Sequence, residues 1–190
     1  MEDLYKNWAR SCMPLAIFTL VILLSSLRQI GWAVFIIWLQ FPVYLIHEFR
    51  EHVSPGDFKN FINTNVFKSK RENFPLNDAN IYWINIPFIW IIFPLFAVLA
   101  QNVNIEFGVV LPIFSIFNAT THIIMTLVKR RFNPGVIASI FLNYPAGIYA
   151  LYYLLHNNLF SASACWLGLV FALLSHLGMI VFALQKIKRG

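Results

Sequence analysis

Six apolar stretches, each near the length of a membrane-crossing helix, take up most of this 190-residue chain. A helix that crosses a bilayer needs about 20 predominantly apolar residues. The stretches fall at 11–27, 31–49, 81–100, 107–128, 135–155 and 160–185. Hydrophobic residues make up 59% of the sequence and charged residues only 12%; soluble domains run at roughly 45–50% and about 25%. The pattern predicts an all-α fold, a polytopic transmembrane helical bundle of about six spans forming one domain over residues 1–190. A polar loop at 50–80 leaves little room for a separate soluble domain.

The net charge of +6 is distributed as a topology signal. Lys6 and Arg10 precede the first stretch. Arg50, Lys59, Lys68, Lys70 and Arg71 lie between the second and third. Lys129, Arg130 and Arg131 lie between the fourth and fifth, and Lys186, Lys188 and Arg189 follow the sixth. Thirteen of the fourteen basic residues thereby fall on one side of a six-span thread, and Arg28 alone falls on the other. Cytoplasmic loops carry the excess of Lys and Arg, so both termini are expected in the cytoplasm, with the basic face against membrane lipids. No nucleic-acid-binding motif is present and no nucleic-acid partner is expected.

The first two stretches are joined only by Arg28-Gln29-Ile30-Gly31. One long helix there would break the charge pattern, so two spans are expected. Glu2 and Asp3, with no A-x-A site after the apolar run, argue for a retained first span rather than a cleaved signal. Cys12 and Cys165 are expected at opposite faces, too far apart for a disulfide. Ser54-Pro55-Gly56-Asp57 reads as a turn. Residues 58–63 read as a short amphipathic helix lying on the cytoplasmic leaflet, and Asn77 or Asp78 as an N-cap of the third span. Pro42, Pro87, Pro94, Pro112 and Pro145 read as kinks. Trp32, Trp83 and Trp166 read as interfacial anchors.

Against this apolar background the polar residues carry the information. Ionisable groups within a bilayer are expensive and usually face a cavity, a partner or an ion. His47 and Glu51 close the second span, one helical turn apart on one face. Asn118 and His122 are spaced alike, two to three turns before Lys129. Asn85, Asn143 and His176 lie at similar depth in other spans, which predicts one polar cavity open to the cytoplasm. His52 is one residue off the His47 face and is expected among lipid head groups. His156 and Asn133-Pro134-Gly135 read as structural, the latter as the turn that starts the fifth span.

Two imidazoles and a carboxylate resemble a His₂Glu zinc shell with a fourth position for water. His47, Glu51 and His122, with His176 nearby, are the expected ligands of zinc or another divalent metal. Glu51, Glu48 and Asn118 are the expected catalytic groups, holding that water or taking its proton. A metal-free alternative uses Glu51 as a general base oriented by His122. An interfacial His or a helix-packing Asn explains each residue singly.

The stretch from Leu45 to Phe58, including His47-Glu48-Phe49-Arg50-Glu51-His52, resembles the HXXEE-domain family of bacterial integral membrane proteins. Phe61-Ile62-Asn63, Phe117-Asn118-Ala119-Thr120-Thr121-His122 and Phe132-Asn133-Pro134-Gly135 extend the likeness over about residues 40–150. The resemblance implies a bacterial cytoplasmic (inner) membrane location and an integral membrane enzyme. On it, His47 is the motif histidine, Glu51 its final glutamate, and Asn118 and His122 a second N-x-x-x-H motif. The chain departs at Arg50, where the family has its first glutamate. Glu48 lies two residues away, about 200° around the helix, and replaces that group only if the helix rotates. Arg50 itself is expected to pair with Glu51 or to bind a phosphate head group. Two readings stand beside the enzyme: a non-catalytic structural or regulatory membrane protein, and a small transporter. The lack of an internal repeat weighs against the transporter.

Overall fold

A computed structural model describes residues 1–71 and 73–189. The described residues form helices and connecting turns, with no strand. Five helical segments are long and apolar enough to cross a membrane: α1 (Glu2–His52), α2 (Asp78–Asn102), α3 (Ile105–Lys129), α4 (Val136–His156) and α5 (Ala162–Arg189).

The first of these is folded back on itself. A straight helix over the 41 residues Cys12–His52 would be about 60 Å long. Instead, the Trp8 ring lies 5.4 Å from the His52 ring. The reversal is at Gly31, whose φ of 75° and ψ of 164° leave the helical region. That backbone region is essentially restricted to glycine. The two arms expected from the charge pattern are therefore present as a hairpin within one segment.

The hairpin gathers the basic clusters at one end of the bundle. There Tyr5 and Trp8 meet Tyr82 at 5.1 and 6.3 Å. Lys59 Nζ reaches Asp78 Oδ1 at 2.6 Å, and Lys186 Nζ donates to Asn80 Oδ1 at 2.8 Å. At the Gly31 end, Trp32 Nε1 donates to the Tyr149 hydroxyl at 3.0 Å and Trp38 Nε1 to Gln101 Oε1 at 2.9 Å. Glu106 Oε1 accepts from the Ser161 N–H at 2.7 Å. Cys12 and Cys165 are both free thiols.

The most buried segment is α3. Small residues let its neighbours approach closely, as is usual between membrane helices. A Cβ on Gly147 or Gly168 would meet Ile116 or Ile113 of α3 at 2.8 and 2.7 Å. The outer faces stay apolar: Phe18, Phe141, Tyr152, Trp166, Leu167 and Leu174 are among the large exposed side chains, as are the expected anchors Trp32 and Trp83. Soluble monomers rarely leave so much contiguous apolar surface uncovered. This is the build of a membrane protein.

Two local features depart from expectation. Residues Ile86–Ile92 and Ser139–Asn143 widen into π-helical turns immediately before Pro94 and Pro145. A proline ring clashes with the carbonyl four residues earlier; the wider turn gives that carbonyl room. Residues 58–63 do begin a helix, Phe58–Asn60 continued by the π-helical turn Phe61–Val66. It does not lie on a surface, however: Phe61, Ile62 and Asn63 are buried. Asn63 anchors it, donating Nδ2–H to Leu76 O at 2.8 Å and accepting from Leu76 N–H at 3.1 Å. Asn77 caps α2 in a reciprocal capping box with Asn80, an arrangement whose loss typically costs about 1 kcal/mol.

Candidate metal centre and cavity

The second arm of the α1 hairpin ends with four ionisable side chains on its inner side. His47, Glu48 and Glu51 are 0%, 1% and 4% exposed, and the His52 side chain is 9% exposed. Helical spacing pairs them: His47 Nε2 lies 3.4 Å from Glu51 Oε1, and His52 Nε2 lies 3.3 Å from Glu48 Oε2. Glu51 stands between the pairs, with Oε2 3.7 Å from His52 Nε2.

Across from this arm, α3 brings His122, whose Nε2 is 2.8 Å from Glu51 Oε1. The separation would suit a hydrogen bond, yet Glu51 Oε1 has no hydrogen-bond partner. The two atoms form a close buried His–carboxylate contact without hydrogen-bond alignment. His47, Glu51 and His122 each offer one donor atom, all within 4.8 Å of one another. Such N, N, O sets hold zinc and related divalent ions.

The orientation of His122 comes from the chain just before α4. His122 Nδ1 and Asn133 Oδ1 are 3.0 Å apart. The same oxygen accepts from Gly135 N–H at 3.1 Å. An amide oxygen only accepts, so His122 Nδ1 carries a proton and donates it there, which leaves Nε2 facing Glu51. An outer partner of this kind commonly fixes a metal-binding imidazole. Gly135 lies against the same ring: an added Cβ would meet His122 Nδ1 at 2.5 Å and Glu51 Oε1 at 2.6 Å. Asn133 and Gly135, expected only as a turn, thus belong to the site. Their sequence signal was the Asn-x-Gly spacing, which looks the same in any turn.

Asn118 links two histidines. Its Nδ2 is 3.2 Å from His47 Nε2 and its Oδ1 is 3.2 Å from His176 Nε2. His176, expected as a ligand, is placed behind Asn118, with Nδ1 2.8 Å from the Ala172 carbonyl.

His52 is not among lipid head groups. It packs between Trp8 and Phe58 and lies 3.3 Å from Asn85 Nδ2. It is buried against Glu48, whose Oε2 lies 3.3 Å from its Nε2. Glu48 reaches the site without rotation of the helix, because His52 and Glu51 extend the cluster around to its face. Arg50 makes no ion pair with Glu51 among the described residues. Asn143 is buried but lies outside this network, with neither amide atom hydrogen-bonded. His156 stacks on Tyr152 at 5.8 Å, at the exposed end of α4.

A cavity of about 380 Å³ opens onto the cluster, within the roughly 300–1,000 Å³ usual for ligand sites. Its polar end is formed by Glu48, Glu51, Asn118, His122 and His176. The remaining wall is largely apolar, including Phe67, Ile84, Phe88, Met125 and Ile180. Phe58 and Ile62 of the loop helix line it as well, so the segment expected on the leaflet surface closes one side of the cavity.

Fold and site together define a polytopic helical membrane protein with a histidine–carboxylate cluster at the end of an apolar cavity. Residues 38–150 match the family described as "Protein of unknown function with HXXEE motif", and the chain belongs to it. No curated protein and no solved structure matches the chain.

Proposed function

We propose that this protein is a membrane-embedded, metal-dependent, hydrolase-like enzyme acting on a lipid-like substrate from the cytoplasmic side of a bacterial inner membrane. The observation that carries this reading is the apolar cavity whose polar lining is the Glu51–His122–Asn118 constellation. An apolar chain gains roughly 0.8 kcal/mol per methylene on entering such a space from water, and it brings the adjoining polar group against the cluster. The six-crossing topology with cytoplasmic termini belongs to the same proposal. It is supported by the hairpin at Gly31 and by the gathering of the basic clusters at the end where the site lies.

His47, Glu51 and His122 would hold the metal, and Glu51 Oε1, buried without a hydrogen-bond partner between the two imidazoles, is the kind of polar atom such a centre leaves. A bound divalent ion supplies Lewis acidity and lowers the pKa of water toward about 7. The chain's own residues do the rest. Asn133 keeps the His122 proton on Nδ1. Asn118 Nδ2, which faces His47 Nε2 at 3.2 Å, would yield that nitrogen to the ion and offer its amide to a polar group entering from the cavity. Glu48, whose Oε2 has no hydrogen-bond partner, faces the cavity as the proton acceptor. The apolar wall excludes bulk water, which strengthens each electrostatic contact at the polar end. Arg50 in place of the family's first glutamate does not remove a carboxylate from the site, since Glu48 and Glu51 both line the cavity.

The test is purification in detergent without chelators, followed by metal analysis and a screen of ester, amide and phosphate lipids. Metal-dependent turnover that disappears in Glu51→Gln and His122→Ala supports the reading. Unchanged metal content and activity after His47→Ala and His122→Ala overturns it in favour of a structural role.

A further inference from the structure

The ion-binding set just described uses one oxygen of Glu51. Its other oxygen faces a second group of potential ligands. Glu48, Glu51 and His52 also place one donor atom each within 4.8 Å of one another. His52 Nε2 is 3.3 Å from Glu48 Oε2 and 3.7 Å from Glu51 Oε2. The two groups share only Glu51, with Oε1 toward His47 and His122 and Oε2 toward His52.

Four observations separate this from an ordinary His–Glu contact. Glu48 Oε2, in a residue only 1% exposed, meets His52 Nε2 at 3.3 Å, longer than the roughly 2.7–2.9 Å of a charge-assisted hydrogen bond and without its alignment. The same mismatch of closeness and alignment marks Glu51 Oε1 on the other side. His52 Nε2 also faces both a donor, Asn85 Nδ2 at 3.3 Å, and two acceptors, the carboxylates of Glu48 and Glu51, and no single protonation state of that nitrogen suits both kinds. Finally, among the described residues no lysine or arginine pairs with Glu48 or Glu51. Two buried carboxylates without a strong cation are expensive in a low-dielectric interior. One divalent ion would balance the two carboxylate charges, and a second would leave the site net positive, the sign that an anionic substrate group or a bound hydroxide meets.

We propose that the site is dinuclear: one ion held by His47, His122 and Glu51, a second held by Glu48, His52 and Glu51, with the Glu51 carboxylate bridging them. Two-metal sites with ions about 3.5–4 Å apart activate water and stabilise the leaving oxygen in hydrolysis and phosphoryl transfer. The mixed nitrogen and oxygen donors suit zinc, manganese or iron(II). The inference rests on the metal-dependent reading above, extends it to a second ion, and gives Glu48 to that ion in place of the proton-accepting role it has with one ion alone.

Elemental analysis of the full-length protein in detergent, loaded with manganese(II) or zinc and freed of excess ion, distinguishes the two. Two equivalents per chain are expected in the wild type. About one is expected in Glu48→Gln and in His52→Asn, and almost none in Glu51→Gln. Manganese-loaded wild type should give an exchange-coupled paramagnetic resonance spectrum, and Glu48→Gln the six-line signal of an isolated ion. Each variant is checked for an unchanged size-exclusion profile. One equivalent in the wild type, unaffected by Glu48→Gln but lost in His122→Asn, overturns the second site and leaves the proposed function standing. Two uncoupled ions overturn the bridge. No ion in any sample overturns both proposals.

Discussion

Asn133 Oδ1 sits 3.0 Å from His122 Nδ1 while accepting a second hydrogen bond from the Gly135 backbone. That double acceptance assigns the histidine proton and aims the other ring nitrogen at Glu51. A turn between two membrane helices thereby controls the chemistry of a side chain eleven residues earlier.

Asn133→Ala should leave the helices in place but free the His122 ring. Metal affinity is expected to fall about 10–100-fold, as it does when outer partners of metal-binding histidines are removed. Competition against a chromogenic chelator measures this. An unchanged dissociation constant would show that the tautomer does not matter to binding.

Gly135→Ala places a methyl group against His122 and Glu51. Overpacking of this kind typically costs about 1–3 kcal/mol, and here it also displaces two proposed ligands. A lower melting temperature and loss of bound metal are expected together. Gly178→Ala is the control, because nothing lies within 4 Å of its added Cβ; it should behave as wild type.

Ile84→Trp fills the apolar cavity without touching the ion-binding groups. Binding of a fluorescent long-chain amphiphile should weaken at least several-fold, with metal content unchanged. Equal binding by the variant would place the amphiphile elsewhere.

The hairpin predicts which residues share a membrane face. Single cysteines replacing Lys6 and Arg130, in a chain with Cys12 and Cys165 changed to Ala, should label from the same side. A cysteine at Arg28 or Asn157 should label from the opposite side. Labelling of positions 6 and 28 from one side would mean that the first arm does not cross.

Saturating metal should stabilise the folded protein. A ligand present at 100 times its dissociation constant adds about 2.7 kcal/mol. Thermal unfolding of the apo and zinc-loaded protein should differ accordingly, and the difference should vanish in Glu51→Gln.

Much of this was legible without coordinates. Apolar run lengths and the placement of basic residues report on transfer into a bilayer, a property each segment carries by itself, so the helices and the reversal before Trp32 followed from the sequence. The pairing of His47 with Glu51 also followed, because residues four apart share a helix face. Depth along each span could be counted from the basic clusters, which brought Asn118, His122 and His176 to one level. Rotation about the helix axes could not be counted. Only packing decided that His122 meets Glu51, that His176 stands behind Asn118, and that Asn143 remains outside. His52 and the loop helix were misplaced for the same reason: an amphipathic surface looks alike whether it meets head groups or covers a cavity. Asn133 and Gly135 became part of the site through a close approach between α3 and the start of α4. Such contacts depend on which faces the helices turn toward each other, and that is settled by the joint packing of the whole bundle rather than by any one stretch of sequence.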